Sequence, residues 1–224
     1  GSLTDEIHMK NPKKIIAIEK DNKLSLYLQK KFKDYNNINI INDDILNFIH
    51  KNKTNEKTIV FGNLPYNIST QILASFITQI KHPPWFEILI FMFQKEVADR
   101  ILAKKNSKNY GRLTILCNWS LEIKKHFNIS RNCFAPKPKI DSTILSFKPK
   151  KRDNFNIKNL ENLEMVTRIL FSNRRKMINK SFLKLFNNNK LIAKDLNLNL
   201  SLRPEELSNE MFYKITMKYE ELFS

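Results

Sequence analysis

Short, unbroken apolar runs recur through the first half of this chain, each followed by a stretch with helical spacing, and few folds satisfy that alternation. Residues 15–18 (Ile-Ile-Ala-Ile) end at Glu19 and precede a helical pattern with Leu24, Leu28 and Phe32 on one face. Residues 38–41 form the next run and end at Asn42-Asp43-Asp44; after a polar Lys/Asn-rich connection comes a third, residues 58–61. The helix beyond it carries Ile72, Leu73, Phe76, Ile77 and Ile80 on one face, with Ser69 or Thr70 as N-cap. Residues 88–93 predict another buried strand and residues 94–104 another helix. Strands alternating with helices predict βαβ units, a parallel sheet and right-handed crossovers. Such sheets bind ligands beyond the carboxyl ends of their strands. Glu19, Asp44 and the segment after residue 61 all fall at such ends, which predicts one shared cleft.

The pattern changes after Leu121. Residues 122–129 and 142–147 read as two strands flanking Cys133-Phe134-Ala135-Pro136-Lys137-Pro138, and their closeness predicts a hairpin at one sheet edge. Lys148-Pro149-Lys150-Lys151-Arg152 reads as a linker. Helical patterns then cover residues 160–171, 174–186, a short piece near Leu191, and the segment from Glu205 onwards after Pro204. Ser208 is placed to cap the last helix, whose Met211, Phe212, Ile215 and Tyr219 form one stripe. The predicted organisation is an α/β domain over 1–148 and a small all-helical domain over 149–224.

A formal charge of +17 on 224 residues is large. Lys-, Asn- and Ile-rich usage of the kind A+T-rich genomes produce accounts for part of it; the remainder points to a polyanion. The longest apolar stretch, residues 88–93, is far too short to span a bilayer. Cys117 and Cys133 cannot build a disulfide framework, which fits a reducing compartment. His8, His50, His82 and His126 are scattered, and no metal-ligand spacing is present.

Asn63-Leu64-Pro65-Tyr66 carries the most chemistry. Pro65 has no N–H, fixes its own φ and pushes Leu64 towards an extended conformation, so the turn out of the third strand is stiff. A stiff turn can hold an amide side chain, a free carbonyl and an aromatic face around one point, as gripping the exocyclic amine of a base requires. Glu19 stands where such sheets recognise ribose hydroxyls. Asp44 can accept from an adenine amino group, Ile45 can pack on the ring, and Asp43 is a near-equal candidate by position. Together they predict an adenosine-containing small molecule across the first three strands. Nothing resembles a P-loop lysine, which argues against a nucleoside triphosphate.

Asn63-Leu64-Pro65-Tyr66-Asn67-Ile68-Ser69-Thr70 resembles motif IV of the ribosomal RNA adenine N6-dimethyltransferases. Further matches follow in that family's order. They are Gln94-Lys95-Glu96-Val97, Tyr110-Gly111-Arg112-Leu113, Phe134-x-Pro-x-Pro-Lys139-x-Asp141-Ser142 and Phe171-x-Asn-Arg174-Arg175-Lys176. The Asn-Arg-Arg-Lys segment, read as part of a helix, and Arg203-Pro204-Glu205 resemble the small-subunit (KsgA-type) branch more than the macrolide-resistance (Erm) branch.

The resemblance implies a Rossmann-like sheet that uses S-adenosylmethionine and no metal. It also implies that Gly1-Ser2-Leu3-Thr4 is the remnant of the glycine motif, with the first strand missing. Gly1, Glu19, Asp44, Ile45 and Asn63 would hold the cofactor. Asn63, Leu64 and Tyr66 would be catalytic, with Tyr66 and Phe134 on the two faces of the target base. Arg112, Lys137, Lys139, Arg174, Arg175 and Lys176 would contact RNA. The implied function is N6,N6-dimethylation of two adjacent adenosines in the 3′-terminal hairpin of small-subunit (16S) rRNA, by a cytoplasmic monomer acting on rRNA or a pre-30S particle. An Erm-like enzyme of large-subunit (23S) RNA, or a non-catalytic nucleic-acid-binding relative, are the alternatives.

Overall fold

Two separate hydrogen-bonded ladders hold the apolar runs. The structure, a computed structural model, describes residues 1–51, 57–78, 84–150 and 155–223. Its contacts divide it into two units, Gly1–Thr54 and Asn55–Ser224.

The first unit contains α1 (Ser2–His8), β1 (Ile15–Glu19), α2 (Asn22–Lys31), β2 (Ile38–Asn42) and α3 (Ile45–Lys51). β1 and β2 run parallel, in register from Ile15↔Ile38 to Glu19↔Asn42, and α2 is the crossover between them, as the alternation predicts. Asp21 caps α2, its Oδ1 accepting from the Leu24 N–H at 2.9 Å. Leu28 and Phe32 are buried with Ile15 and Ile49. Leu24, expected on the same face, is exposed, and Ser25 is buried instead. A spacing of four residues tolerates that small rotation of the helix.

The second unit contains β3 (Thr58–Asn63), α4 (Ser69–Thr78), β4 (Phe86–Gln94), α5 (Lys95–Ile101), α6 (Arg112–Ser120), β5 (Leu121–Ile129) and β6 (Ser142–Pro149). After these come α7 (Leu160–Leu170), α8 (Asn179–Leu185), α9 (Leu191–Asp195) and α10 (Asn209–Phe223). Sheet order is β3-β4-β6-β5. β3 is parallel to β4, whereas β6 is antiparallel to both β4 and β5, so the expected edge hairpin is present.

Three expectations change. The parallel strands do not form one ladder: β1 bonds only to β2, and β3 only to β4, among the described residues. The third run is not a fully buried strand, because β3 lies at a sheet edge and leaves Ile59 and Phe61 exposed. The helix expected over 174–186 is shorter, with a 3₁₀ turn at Phe171–Asn173 and an irregular stretch before α8. Ile80, Lys151 and Arg152 lie outside the described residues.

β4 is the centre of the second core. Its Phe86, Leu89, Phe91 and Phe93 are at most 1% exposed. Phe91 packs against Phe76, Phe93 and Phe147 with ring centroids 5.6, 6.3 and 6.2 Å away. Each ring contributes about 2–3 kcal/mol by leaving water.

Tyr110 and Ile115, from before the expected boundary, share a core with Leu163, Val166, Phe182, Phe212 and Ile215 of the C-terminal helices. Ser208 caps the last helix, its Oγ accepting from the Met211 N–H at 3.2 Å. Glu220, 2% exposed, accepts from the Lys158 and Asn159 N–H groups at 2.8 and 2.9 Å and from Asn162 Nδ2 at 3.1 Å, which ties the start of α7 to α10.

Candidate active site

At the carboxyl ends of β1 and β2 the polar groups form a local network. Glu19 Oε1 accepts from the Asp21 N–H at 2.9 Å, and Asn42 Nδ2 donates to the Glu19 and Lys20 carbonyls at 2.9 and 3.2 Å. Asp44 Oδ1 accepts from the Leu46 N–H at 2.9 Å, serving the start of α3, while Lys20 Nζ donates to Asp44 Oδ2 at 2.8 Å. That ammonium, aided by the Leu46 N–H, holds the Asp44 carboxyl below its usual range. Asp43 Oδ1 accepts from the Asp44 N–H at 2.8 Å and from Asn47 Nδ2 at 3.3 Å. Ile45 is half-buried beside them as the first residue of α3.

This group fits the adenosine-bearing cofactor that the resemblance implies. Glu19 Oε2 has no protein partner among the described residues, which leaves it open to a hydroxyl. Gly1 is exposed, and a Cβ there would come within 2.8 Å of Leu28 Cδ2. A backbone without a side chain suits close approach of a ligand.

The second unit carries the stiff corner. Asn63, the last residue of β3, and Pro65 are exposed; Leu64 and Tyr66 are half-buried. The turn closes through the Ile68 N–H donating to the Pro65 carbonyl at 3.1 Å, and Ser69 Oγ donating to the Tyr66 carbonyl at 3.1 Å. Ser69 thus opens α4 by donating backwards, not by accepting as an N-cap. Gly62 makes the corner possible: a Cβ there would lie 2.6 Å from Leu64 Cδ2 and 2.9 Å from Phe91 Cδ1. The Tyr66 hydroxyl is 2.6 Å from Ser142 Oγ at the start of β6. Asn63 Oδ1 and the Leu64 carbonyl are therefore presented by a corner anchored on both sides.

Phe134 is half-buried in the loop between β5 and β6, with Lys137 and Lys139 exposed beside it. Arg131 closes this loop: its N–H donates to Asp141 Oδ1 at 2.9 Å and its Nη1 to the Lys139 carbonyl at 3.1 Å. Arg112 is exposed at the first turn of α6. Tyr110 before it is anchored, its hydroxyl donating to Asn209 Oδ1 at 2.7 Å, and burial pushes its pKa up.

The basic triplet divides. Arg174 Nε donates to Glu205 Oε2 at 2.8 Å and Nη2 to the Ser107 carbonyl at 3.0 Å, so two of its donors are used within the fold while the side chain stays 35% exposed. Arg175 and Lys176 are exposed on the turn before α8, with Lys180 and Lys184 exposed on that helix. Spacing along the chain could not separate Arg174 from its neighbours, because its partner lies 31 residues away. Gly62 and Ser142 were missed for the same kind of reason. A glycine directly before Asn63 was the available signal for the first; the second had none beyond the Asp-Ser pair.

The chain matches, over residues 1–220, the family described as ribosomal RNA adenine dimethylase. It is 47% identical over 222 residues to the ribosomal RNA small subunit methyltransferase A of Pelagibacter ubique, covering 99% of this chain and 84% of that one. To the protein of that name in Wolbachia sp. subsp. Drosophila simulans it is 38% identical, covering 100% and 81%. Among solved structures it resembles a dimethyladenosine transferase from Plasmodium falciparum, with TM-score 0.74, 26% identity and coverage of 93% and 82%. It shares its fold with the 23S rRNA methyltransferase ErmE, with TM-score 0.64, 21% identity and coverage of 92% and 82%.

Proposed function

The chain belongs to the ribosomal RNA adenine dimethylase family, and on that footing we propose that it dimethylates N6 of two adjacent adenosines in the 3′-terminal hairpin of small-subunit rRNA. The single observation that carries this reading is the corner after β3, where Asn63 is exposed while Gly62 and Tyr66 fix the chain on either side.

The N6 amine of adenine is a poor nucleophile because its lone pair is delocalised into the ring. Asn63 Oδ1 and the Leu64 carbonyl accept both amine hydrogens, favour a pyramidal nitrogen and stabilise the positive charge that develops on it. No protein nucleophile is needed. S-adenosylmethionine, when bound, would supply the methyl as an electrophilic sulfonium carbon; in the first unit Gly1, Glu19, Asp44 and Ile45 would hold it, with Asp43 the alternative adenine contact. Tyr66 and Phe134 take the two faces of the flipped base and offset the cost of unstacking it, about 1–3 kcal/mol per stacked face. One N–H proton leaves N6 for water after each transfer, so the second transfer starts from an amine with a single hydrogen.

Arg112, Lys137, Lys139, Arg175 and Lys176 bind phosphates around the hairpin, with recognition mainly of RNA shape. The substrate is the RNA of an assembling pre-30S particle, the enzyme acts as a monomer, and its compartment is the cytoplasm. Relatives named as small-subunit methyltransferases support the choice of subunit.

The test compares methyl transfer by the full-length protein to small-subunit particles and to naked large-subunit RNA. Dimethyladenosine in the small-subunit RNA is expected. Activity on the large-subunit RNA alone overturns the proposal.

A further inference from the structure

The two aromatic residues assigned to the target base come from distant stretches of chain, yet both are tied to one dipeptide. Ser142 is the first residue of β6, is fully buried, and is paired on both sides, to Gln94 of β4 and Ile129 of β5. Its Oγ is 2.6 Å from the Tyr66 hydroxyl. Asp141 next to it reaches the Phe134 segment through Arg131. Its Oδ1 accepts from the Arg131 N–H at 2.9 Å, and Arg131 opens the 3₁₀ turn whose next residue is Phe134. The Phe134 N–H donates to the Arg131 carbonyl at 3.4 Å, so the Phe134 backbone is two links from Asp141. The Asp141 carbonyl itself accepts from the Lys95 N–H at 2.9 Å, which pins the dipeptide to the start of α5.

Building on the reading above, we infer that Asp141 and Ser142 are positioning residues that hold Tyr66 and Phe134 in fixed relation, and that this clamp matters most for the second methyl transfer. The unmodified amine offers two hydrogens to Asn63 and Leu64, and these alone fix its rotation. The monomethylated amine offers one. Its orientation then depends on the ring faces that grip the base, and a loosened Tyr66 lets the base turn. Loss of the Ser142 hydroxyl therefore slows the second transfer more than the first, and monomethyladenosine accumulates.

The experiment is a double-mutant cycle on Tyr66→Phe and Ser142→Ala in the full-length protein. Single-turnover rates are measured on small-subunit RNA, and mono- and dimethyladenosine are separated by nucleoside chromatography. Each single variant is expected to slow the second transfer about tenfold, the equivalent of one neutral hydrogen bond, with a smaller effect on the first. The double variant should be no slower than either single one, and RNA affinity should be unchanged. Tyr66→Phe keeps the ring and the fold, so it carries the test if Ser142→Ala is unstable. Additive losses, or a mono-to-dimethyl ratio equal to wild type, overturn the inference alone. A wild-type protein that methylates no adenosine in small-subunit RNA overturns both this inference and the function it rests on.

Discussion

Gly62→Ala tests whether the corner at Asn63 is held as tightly as its packing requires. The added methyl would lie 2.6 Å from Leu64 Cδ2 and 2.9 Å from Phe91 Cδ1. Carbon atoms rest about 3.5–4.0 Å apart, so both contacts must lengthen by about 1 Å. Phe91 cannot retreat: it is 1% exposed and wedged among Phe76, Phe93 and Phe147. Leu64 Cδ2 is the end of a flexible side chain and can swing aside, so relief of the Phe91 contact falls to the β3 backbone at Gly62, which carries the acceptors at Asn63 and Leu64 with it. Overpacking of this size costs about 1–3 kcal/mol of stability. A displacement near 1 Å at a reacting group costs about 10²-fold in rate. Urea unfolding reads the first, and single-turnover methyl transfer to small-subunit RNA reads the second. A variant with wild-type midpoint and wild-type rate would refute the claim that Gly62 shapes the corner.

Glu220→Ala removes the acceptor of two backbone N–H groups at the start of α7, and should cost about 2–5 kcal/mol in chemical denaturation; an unchanged midpoint would contradict the anchoring role. Arg175→Ala and Lys176→Ala should each weaken RNA binding and flatten its salt dependence by about one unit of slope without lowering stability. Arg174→Ala should instead lower stability by roughly 1 kcal/mol and leave the salt slope alone, since two of its donors are used within the fold. Lys20→Met should raise the Asp44 midpoint in a carboxyl NMR titration towards its ordinary 3.8. Because folding lowers that pKa, the small stabilisation is present above the ordinary value and is lost as pH falls through the lowered one. A midpoint that does not move would deny the Lys20 contact.

Much of this was legible because it is local. Apolar runs and helical spacing place β1, β2, β4 and the β5–β6 hairpin, and Pro65 marks the stiff corner. What escaped depends on partners far apart in the chain. Arg174 looks like its neighbours until Glu205 and Ser107 are brought to it. Ser142 lies 76 residues from Tyr66, and Glu220 about 60 from the N–H groups it accepts. Periodicity reports which side of an element is apolar; it does not report which strand stands at an edge, so the exposure of Ile59 and Phe61 was invisible. The triplet at residues 174–176 has good helix formers, yet tertiary bonds to Arg174 hold it in a turn.

The central claim concerns two oxygens at the end of β3. Asn63→Ala in the full-length protein, assayed for single-turnover methyl transfer alongside RNA affinity across a salt series, addresses it most directly. Transfer should fall by at least about 10²-fold, the cost of one preorganised acceptor at a developing charge, while affinity and its salt slope stay at wild-type values. Turnover that survives the substitution would contradict the role given to the amide.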